Sequence, residues 1–217
     1  MDRKTILKRD LFGEVARGVV GGEPVIERNV AAARWWTRWV ARRLLRREAR
    51  ALAALDGLDG VPVLIDHDTD RLLRSYLEGE PLYRARPRDA AWFKAAAQLV
   101  RRLHRAGVCH NDLAKEPNLL VLSNHGPGII DFQLAAYSRG RSRLFRIAAY
   151  EDLRHLLKHK RTYRPDLLTA RERRILANPA PISRLWMNTF KPMYLFVTRR
   201  LLGWADREGA ADRDSLR

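Results

Sequence analysis

His110-Asn111-Asp112, with Asn118 six positions beyond the acid and Asp131-Phe132-Gln133 closing the run Gly128-Ile129-Ile130, is the stretch on which this chain is read. Upstream, Trp92, Phe93, Ala96, Leu99, Val100, Leu103 and His104 recur at helical spacing up to Gly107, so the acid is expected to follow a buried helix. Downstream, Leu119-Leu120-Val121-Leu122 and Ile129-Ile130 flank Asn124-His125-Gly126-Pro127-Gly128, a composition that predicts a hairpin. Asn118 and Asp131 stand at its two borders, so folding it brings an amide and a carboxylate together. One acid to accept a proton, with an amide and a second carboxylate to hold magnesium, is what phosphoryl transfer requires. Asp112 or Asp131 alone reads as well as a turn cap; at this joint spacing they read as a site.

Toward the N-terminus, Lys4 to Lys8, Val15 to Val20 and Val25 to Arg28 are expected strands, separated by turns at Asp10-Leu11-Phe12-Gly13 and Gly21-Gly22-Glu23-Pro24. Glu48 follows Arg28 by twenty positions, inside the next expected helix.

These motifs resemble the protein-kinase-like superfamily over about residues 4 to 160. His110-Asn111-Asp112 is similar to its catalytic loop, Asn118 to its metal-binding amide, and Asp131-Phe132-Gln133 to its Asp-Phe-Gly metal site. The resemblance implies an α+β, bilobal protein-kinase-like fold. Residues 1–79 would form a small β-rich lobe with the nucleotide cover and hinge, and 80–217 a reduced helical lobe with the catalytic loop, metal site and C-terminal helices.

The resemblance also implies ATP and Mg2+ as cofactors and a hydroxyl as acceptor. Asp112 would take the hydroxyl proton beside Lys115, while Asn118 and Asp131 hold the metal. Arg28 falls where the superfamily has its phosphate-binding lysine, which implies an ion pair with Glu48 that orients the phosphates, with Lys8 as a competing candidate; an arginine fork and an ammonium are not equivalent there. Gly13 is the single glycine of a reduced phosphate cover. Ile26 and Leu120, with Tyr76 and Leu77 of the hinge-like segment Leu72 to Gly79, would contact the nucleotide.

Asp152 is similar to the aspartate that braces the catalytic loop, and only 21 positions separate it from Asp131, too few for a long peptide-docking segment. The chain thus resembles compact members: RIO kinases, aminoglycoside and choline phosphotransferases, and kinases of lipopolysaccharide core sugars, the last favoured by its basic charge and aromatics. Three departures stand out. The amide lies six rather than five positions after the acid, Gln133 replaces a glycine and makes a flipping switch less favourable, and Asn111 replaces an arginine that could pair with a phosphorylated loop.

The 217 residues hold 42 Lys plus Arg against 25 Asp plus Glu, a net charge of +17, and are 46% apolar. Such an excess points to an anionic partner: a phosphorylated sugar, a lipid-linked glycan, an acidic membrane surface, or nucleic acid, for which charge is the sole support. Cys109 is the single cysteine and reads as a packing residue. No secretory signal or membrane-spanning stretch is read, so the expected location is the cytoplasm, peripheral at the inner membrane face.

The segment Arg34 to Glu48 is expected to be an amphipathic helix, with Trp35, Trp36, Trp39, Val40, Leu44 and Leu45 on one stripe among arginines. Its tryptophans either lie in a membrane interface or pack on the sheet. Leu185-Trp186-Met187, Phe190 and Met193 to Trp204, with Pro192 starting or kinking a helix, form a second aromatic stretch, read as core or as a surface for a lipid-linked substrate. His155 and His159 share a helical face without a third ligand and are expected to be surface or helix-end residues. Three functions remain: an active kinase acting on a sugar, glycan or protein Ser/Thr hydroxyl; a pseudokinase that binds partners; and a basic nucleic-acid-binding protein.

Overall fold

The computed structural model describes residues 2–179. Among these, β1 (Asp2–Asp10), β2 (Gly13–Val20), β3 (Glu23–Asn29), β4 (Leu64–His67) and β5 (Arg71–Ser75) form an antiparallel five-stranded sheet in the order β1-β2-β3-β5-β4. The three N-terminal strands and their turns are those expected from the sequence. Gly13 has φ +125, and a Cβ there would lie 2.3 Å from the Asn29 carbonyl oxygen, so any side chain would part β2 from the end of β3.

Helix α1 (Arg38–Ala54) connects β3 to β4. Its inner face serves two hydrophobic clusters. Leu45 and Ala49 pack with Val30, Ala33 and Leu72 beneath the sheet, while Ala51, Leu52 and Leu55, one turn further on, join a larger core. Each fully buried leucine of this kind contributes about 1.5–3 kcal/mol.

That larger core is built on α3 (Ala90–Arg105), which presents Trp92, Phe93, Ala96, Leu99, Val100 and Leu103 inward as the periodicity predicts. Asp89 starts the helix by accepting from the Ala91 amide at 2.8 Å, and Gly107 at φ +82 ends it. Next to it lies an antiparallel sheet of β6 (Gly79–Pro81), with α2 (Leu82–Ala85) directly after it, β8 (Leu119–Leu122) and β9 (Pro127–Ile129). The expected hairpin is β8–β9. A short pair, β7 (Val108–Cys109) with β10 (Ala136–Tyr137), brackets the motif-bearing segment. The capped helices α4 (Arg143–Tyr163) and α5 (Ala170–Ala177) complete the described chain.

Two expectations are corrected. The helix expected over Arg34 to Glu48 starts at Arg38, because the Thr37 hydroxyl donates to the Leu11 carbonyl at 2.5 Å and the Arg38 guanidinium to the carbonyls of Ala31 and Ala33, holding the preceding segment as turns. Trp35 and Trp39 are 84% and 68% exposed, so they do not pack on the sheet. The second correction concerns α4. His159 is buried, its Nε2–H donating to the Leu113 carbonyl at 2.8 Å, and His155 is largely enclosed; neither is a surface residue. The aromatic stretch from Leu185 to Trp204 lies outside the described residues. Among those described, no helix is long and apolar enough to cross a membrane.

Candidate active site

The loop between β7 and β8 is tied down by side chains from several elements. Asp152 of α4, itself buried, accepts from the backbone amides of His110 (2.7 Å) and Asn111 (2.9 Å) and lies 3.2 Å from His104 Nε2. These bonds hold Asn111 at φ 65, a left-handed conformation that asparagine tolerates better than most residues. Asp152 is thus the loop brace expected from the sequence.

His110 is fully buried and bonded at both ring nitrogens: Nδ1 faces the Asp112 amide at 3.2 Å and Nε2 the Ile130 carbonyl at 2.9 Å. An amide can only donate and a carbonyl only accept, so Nε2 carries the hydrogen. The ring also meets Phe132 edge-on, with centroids 4.8 Å apart. Phe132 is itself buried in the core, so the histidine and phenylalanine of the two motifs hold one another and fix the residues beside them, Asp112 and Asp131.

The spacing of six between Asp112 and Asn118 is absorbed by a 3-10 turn, Glu116–Asn118, entered through Pro117. The Tyr163 hydroxyl donates to Glu116 at 2.6 Å and anchors the turn to α4. Asn118 is consequently buried, and its Nδ2 donates to both the Asp112 carbonyl (3.0 Å) and carboxylate (3.1 Å). Its own carbonyl accepts from the Ile130 amide at 3.0 Å, which sets Asn118 beside Asp131 across the hairpin. Lys115 Nζ lies 3.0 Å from Asp112 Oδ2. Four predicted residues, Asp112, Lys115, Asn118 and Asp131, are therefore gathered.

The two carboxyls differ electrostatically. Burial lifts Asp112 above the usual carboxylate range; Lys115 offsets only part of this, and the charge on Asp131 adds to it. Burial would raise Asp131 as well, but Arg28 and the 2.7 Å hydrogen bond from Gln133 Nε2 outweigh it and leave the carboxyl below the usual range. Asp112 is thereby suited to hold a proton in passing, and Asp131 to remain an anion and a hard oxygen ligand. Asp131 has φ 67; the positive φ in this motif thus falls on the acid rather than on Gln133, which lies in the 3-10 turn Phe132–Leu134.

At the sheet end, Arg28 Nε lies 3.3 Å from Glu48 Oε2, the pair expected from the sequence. The structure adds Arg74 of β5, whose Nε lies 3.3 Å from Glu48 Oε1. Arg74 sits opposite Ile26, one pleat along from Arg28, so both arginines share the sheet face that α1 covers. Burial depresses the Arg74 pKa, which Glu48 opposes and Arg28 reinforces. Both Glu48 oxygens are buried yet make no hydrogen bond among the described residues. Sequence reading missed Arg74; the available signal was an arginine at an inward-facing position of a strand otherwise lined by Leu72.

The other predicted residues take these places. Lys8 lies 3.6 Å from Asp10 and is half exposed. Gly13 stands at the same end of the sheet as Arg28, since Glu14 and Val15 pair with Asn29 and Arg28. Ile26 and Leu120 are buried. Leu77 and Leu120 both close on Gly128, where a Cβ would meet them at 2.9 and 3.3 Å. The Tyr76 amide donates to the Pro24 carbonyl at 3.0 Å, and Arg17 stacks 4.0 Å over the Tyr76 ring, so that amide is already engaged.

His104, Cys109 and Asp152 bring three ligand-type atoms within 4.8 Å. Both Asp152 oxygens are taken by backbone amides, however, and burial pushes the Cys109 thiol up, so the cluster acts as a brace and Cys109 as the packing residue expected.

The sequence model of a family described as "Phosphotransferase enzyme family" matches residues 34–139, from the turn before α1 to just beyond β10. The match supports the protein-kinase-like superfamily and a phosphotransfer function of kinase type. None of the curated proteins matches the chain.

Proposed function

We propose that this protein is an ATP-dependent kinase of bilobal, protein-kinase-like architecture that transfers the γ-phosphoryl group to an alcohol. The observation that carries the reading is the convergence of Asp112, Lys115, Asn118 and Asp131 on one loop and one hairpin, with the two acids shifted in opposite directions. The five-stranded sheet ends with β5 at Ser75 and the next strand, β6, pairs with β8, which supports the division near residue 79 into a sheet lobe and a helical lobe.

Asn118 and Asp131 form a hard-oxygen donor set that fits magnesium, whose chemistry would be to neutralise phosphate charge during transfer. The paired arginines around Glu48 fit an anionic ligand: each guanidinium turns its Nε toward Glu48, and its remaining N–H groups would donate to phosphate oxygens. Asp112 orients the acceptor hydroxyl and takes its proton. Lys115, half exposed beside it, steadies charge on the transferred group. Ile26, Leu120 and Leu77 provide the apolar nucleotide contacts, Tyr76 a hydrogen-bond acceptor through its carbonyl, and Gly13 the cover.

For the acceptor we favour a lipopolysaccharide core sugar over a protein Ser/Thr, because the basic charge suits a phosphorylated glycan and the interval after Asp131 is short. The protein would act in the cytoplasm, peripheral at the inner membrane face. Magnesium-dependent ADP formation from ATP tests the reading, comparing the parent with Asp112→Ala and Asp131→Ala in the presence of core sugars or candidate proteins. Turnover abolished by both substitutions is expected; equal residual turnover in all three would leave a partner-binding pseudokinase or a nucleic-acid-binding protein.

A further inference from the structure

The outer face of α1, opposite Glu48, lines a groove of about 810 Å³ whose other wall is Ala135, Ala136 and Tyr137. Six arginines and two tryptophans line it, and no acidic residue does. Three of the arginines are already engaged: Arg42 forms a two-pronged bridge with Asp70 at 2.7 and 2.8 Å, Arg38 donates to Ala31 and Ala33, and Arg47 donates to Leu134 and Ala135. Arg43, Arg46 and Arg50 are exposed and have no partner among the described residues. Their spacing of three and four positions aligns them along one helical stripe. Trp39, 68% exposed, lies in the first turn of the same helix, Trp35, 84% exposed, in the turn before it, and Leu134, 41% exposed, adjoins the far wall.

We infer that this groove is a docking surface for a membrane bearing anionic phospholipid headgroups, with Arg43, Arg46 and Arg50 on the phosphates and Trp35 and Trp39 at the headgroup level. Charge complementarity supplies the attraction, since the helix carries Glu48 as its one acid and turns it inward. Exposed tryptophans are costly in water and favourable at a lipid interface, where an apolar ring body and a polar N–H are both satisfied. A nucleic acid is the poorer occupant: no Asn, Gln, Ser or Thr lines the groove to read base edges, and the most exposed groups are apolar. The inference is independent of phosphoryl transfer, because docking needs no turnover.

The test uses the full chain with vesicles of phosphatidylcholine alone and with about a third phosphatidylglycerol, read by co-sedimentation and tryptophan emission. The parent is expected to bind the acidic vesicles with a blue-shifted emission and to leave the neutral ones. Each arginine near an anionic surface is worth about fivefold in binding, so R43Q/R46Q/R50Q should weaken it about a hundredfold. W35A/W39A should weaken binding and remove the blue shift, and both variants should melt with the parent because the replaced side chains are exposed. Equal binding of the parent to neutral and acidic vesicles, or undiminished binding by the arginine variant, would overturn the inference. Retention of a single-stranded oligonucleotide with no vesicle binding would also overturn it, in favour of nucleic acid. ADP formation without vesicles, unchanged in both variants, separates this result from failure of the kinase reading.

Discussion

Around Asp112 the buried polar groups are bonded: His110 at both ring nitrogens, Asp152 by two backbone amides, Asn118 to the acid it positions, and His159 to the Leu113 carbonyl. Around Glu48, whose two arginines lie within electrostatic reach of Asp131, a buried carboxylate sits 3.3 Å from each of two guanidinium nitrogens and makes no hydrogen bond among the described residues. The first region is finished before any ligand arrives, as a group proposed to handle protons must be. The second is left with hydrogen bonds unmade, and the proposed phosphate would be met there by the arginines. In the proposed site, rigidity and incompleteness would thus occupy opposite walls.

The largest effect should come from the finished wall. Asp112→Ala is expected to lower kcat by about 10²–10⁴-fold with little change in KM for ATP, measured by steady-state ADP release. Because burial raises the Asp112 carboxyl and the reaction needs its ionised form, the parent's activity should fall with acid at a pH above the ordinary carboxylate range. A loss confined to KM would reverse the assignment of roles between the walls.

At the incomplete wall, Glu48→Ala leaves two buried arginines facing one another and should destabilise the fold by about 3–5 kcal/mol in denaturant titrations. Arg74→Met leaves a one-to-one Arg28–Glu48 pair, so its stability should stay within about 1 kcal/mol of the parent. Equal losses from the two would mean that the arginines do not share Glu48.

Next in size is an acid response on the bracing helix. Burial holds the His155 imidazole at about 4, against an ordinary 6.5, so between those values the unfolded chain binds the proton that the folded chain refuses. The resulting stability is full above pH 6.5 and declines as pH falls toward 4, by on the order of 3 kcal/mol. His155→Phe should flatten that part of the melting-temperature profile, and an unaltered profile would place the acid response elsewhere. A smaller effect on binding is expected from Arg28→Lys: loss of one prong on an oxygen should raise KM for ATP about tenfold, with kcat nearly unchanged.

The finished wall was also the more legible one in the sequence. Asp112, Asn118 and Asp131 lie on one local unit, a loop and hairpin, so spacing along the chain maps directly onto space. Asp152 was found for the same reason, from its place on a helix soon after the motif. The Arg28–Glu48 pair was also anticipated, yet Arg74 was not, because it reaches Glu48 only through the pairing of β5 with β3, and its inward-facing position beside Leu72 is the one local sign that sets it apart from an ordinary strand arginine. The tryptophan segment failed in another way. Its apolar spacing fits a helix, but tertiary hydrogen bonds from Thr37 and Arg38 hold the first part as turns and leave Trp35 and Trp39 in solvent. His159 was misread because a helical period cannot tell which face a neighbouring loop carbonyl will claim.

The Leu134 carbonyl receives a hydrogen from Asn111 Nδ2 at 2.9 Å and another from Arg47 Nη2 at 3.1 Å, so one oxygen with both lone pairs taken links the loop bearing Asp112 to the helix bearing Glu48. Displacing that peptide breaks both halves of this link at once, while Asp152 still holds the loop. Amide exchange from Phe132 to Ala136 should therefore proceed through one concerted opening event, with no separately populated half-released form.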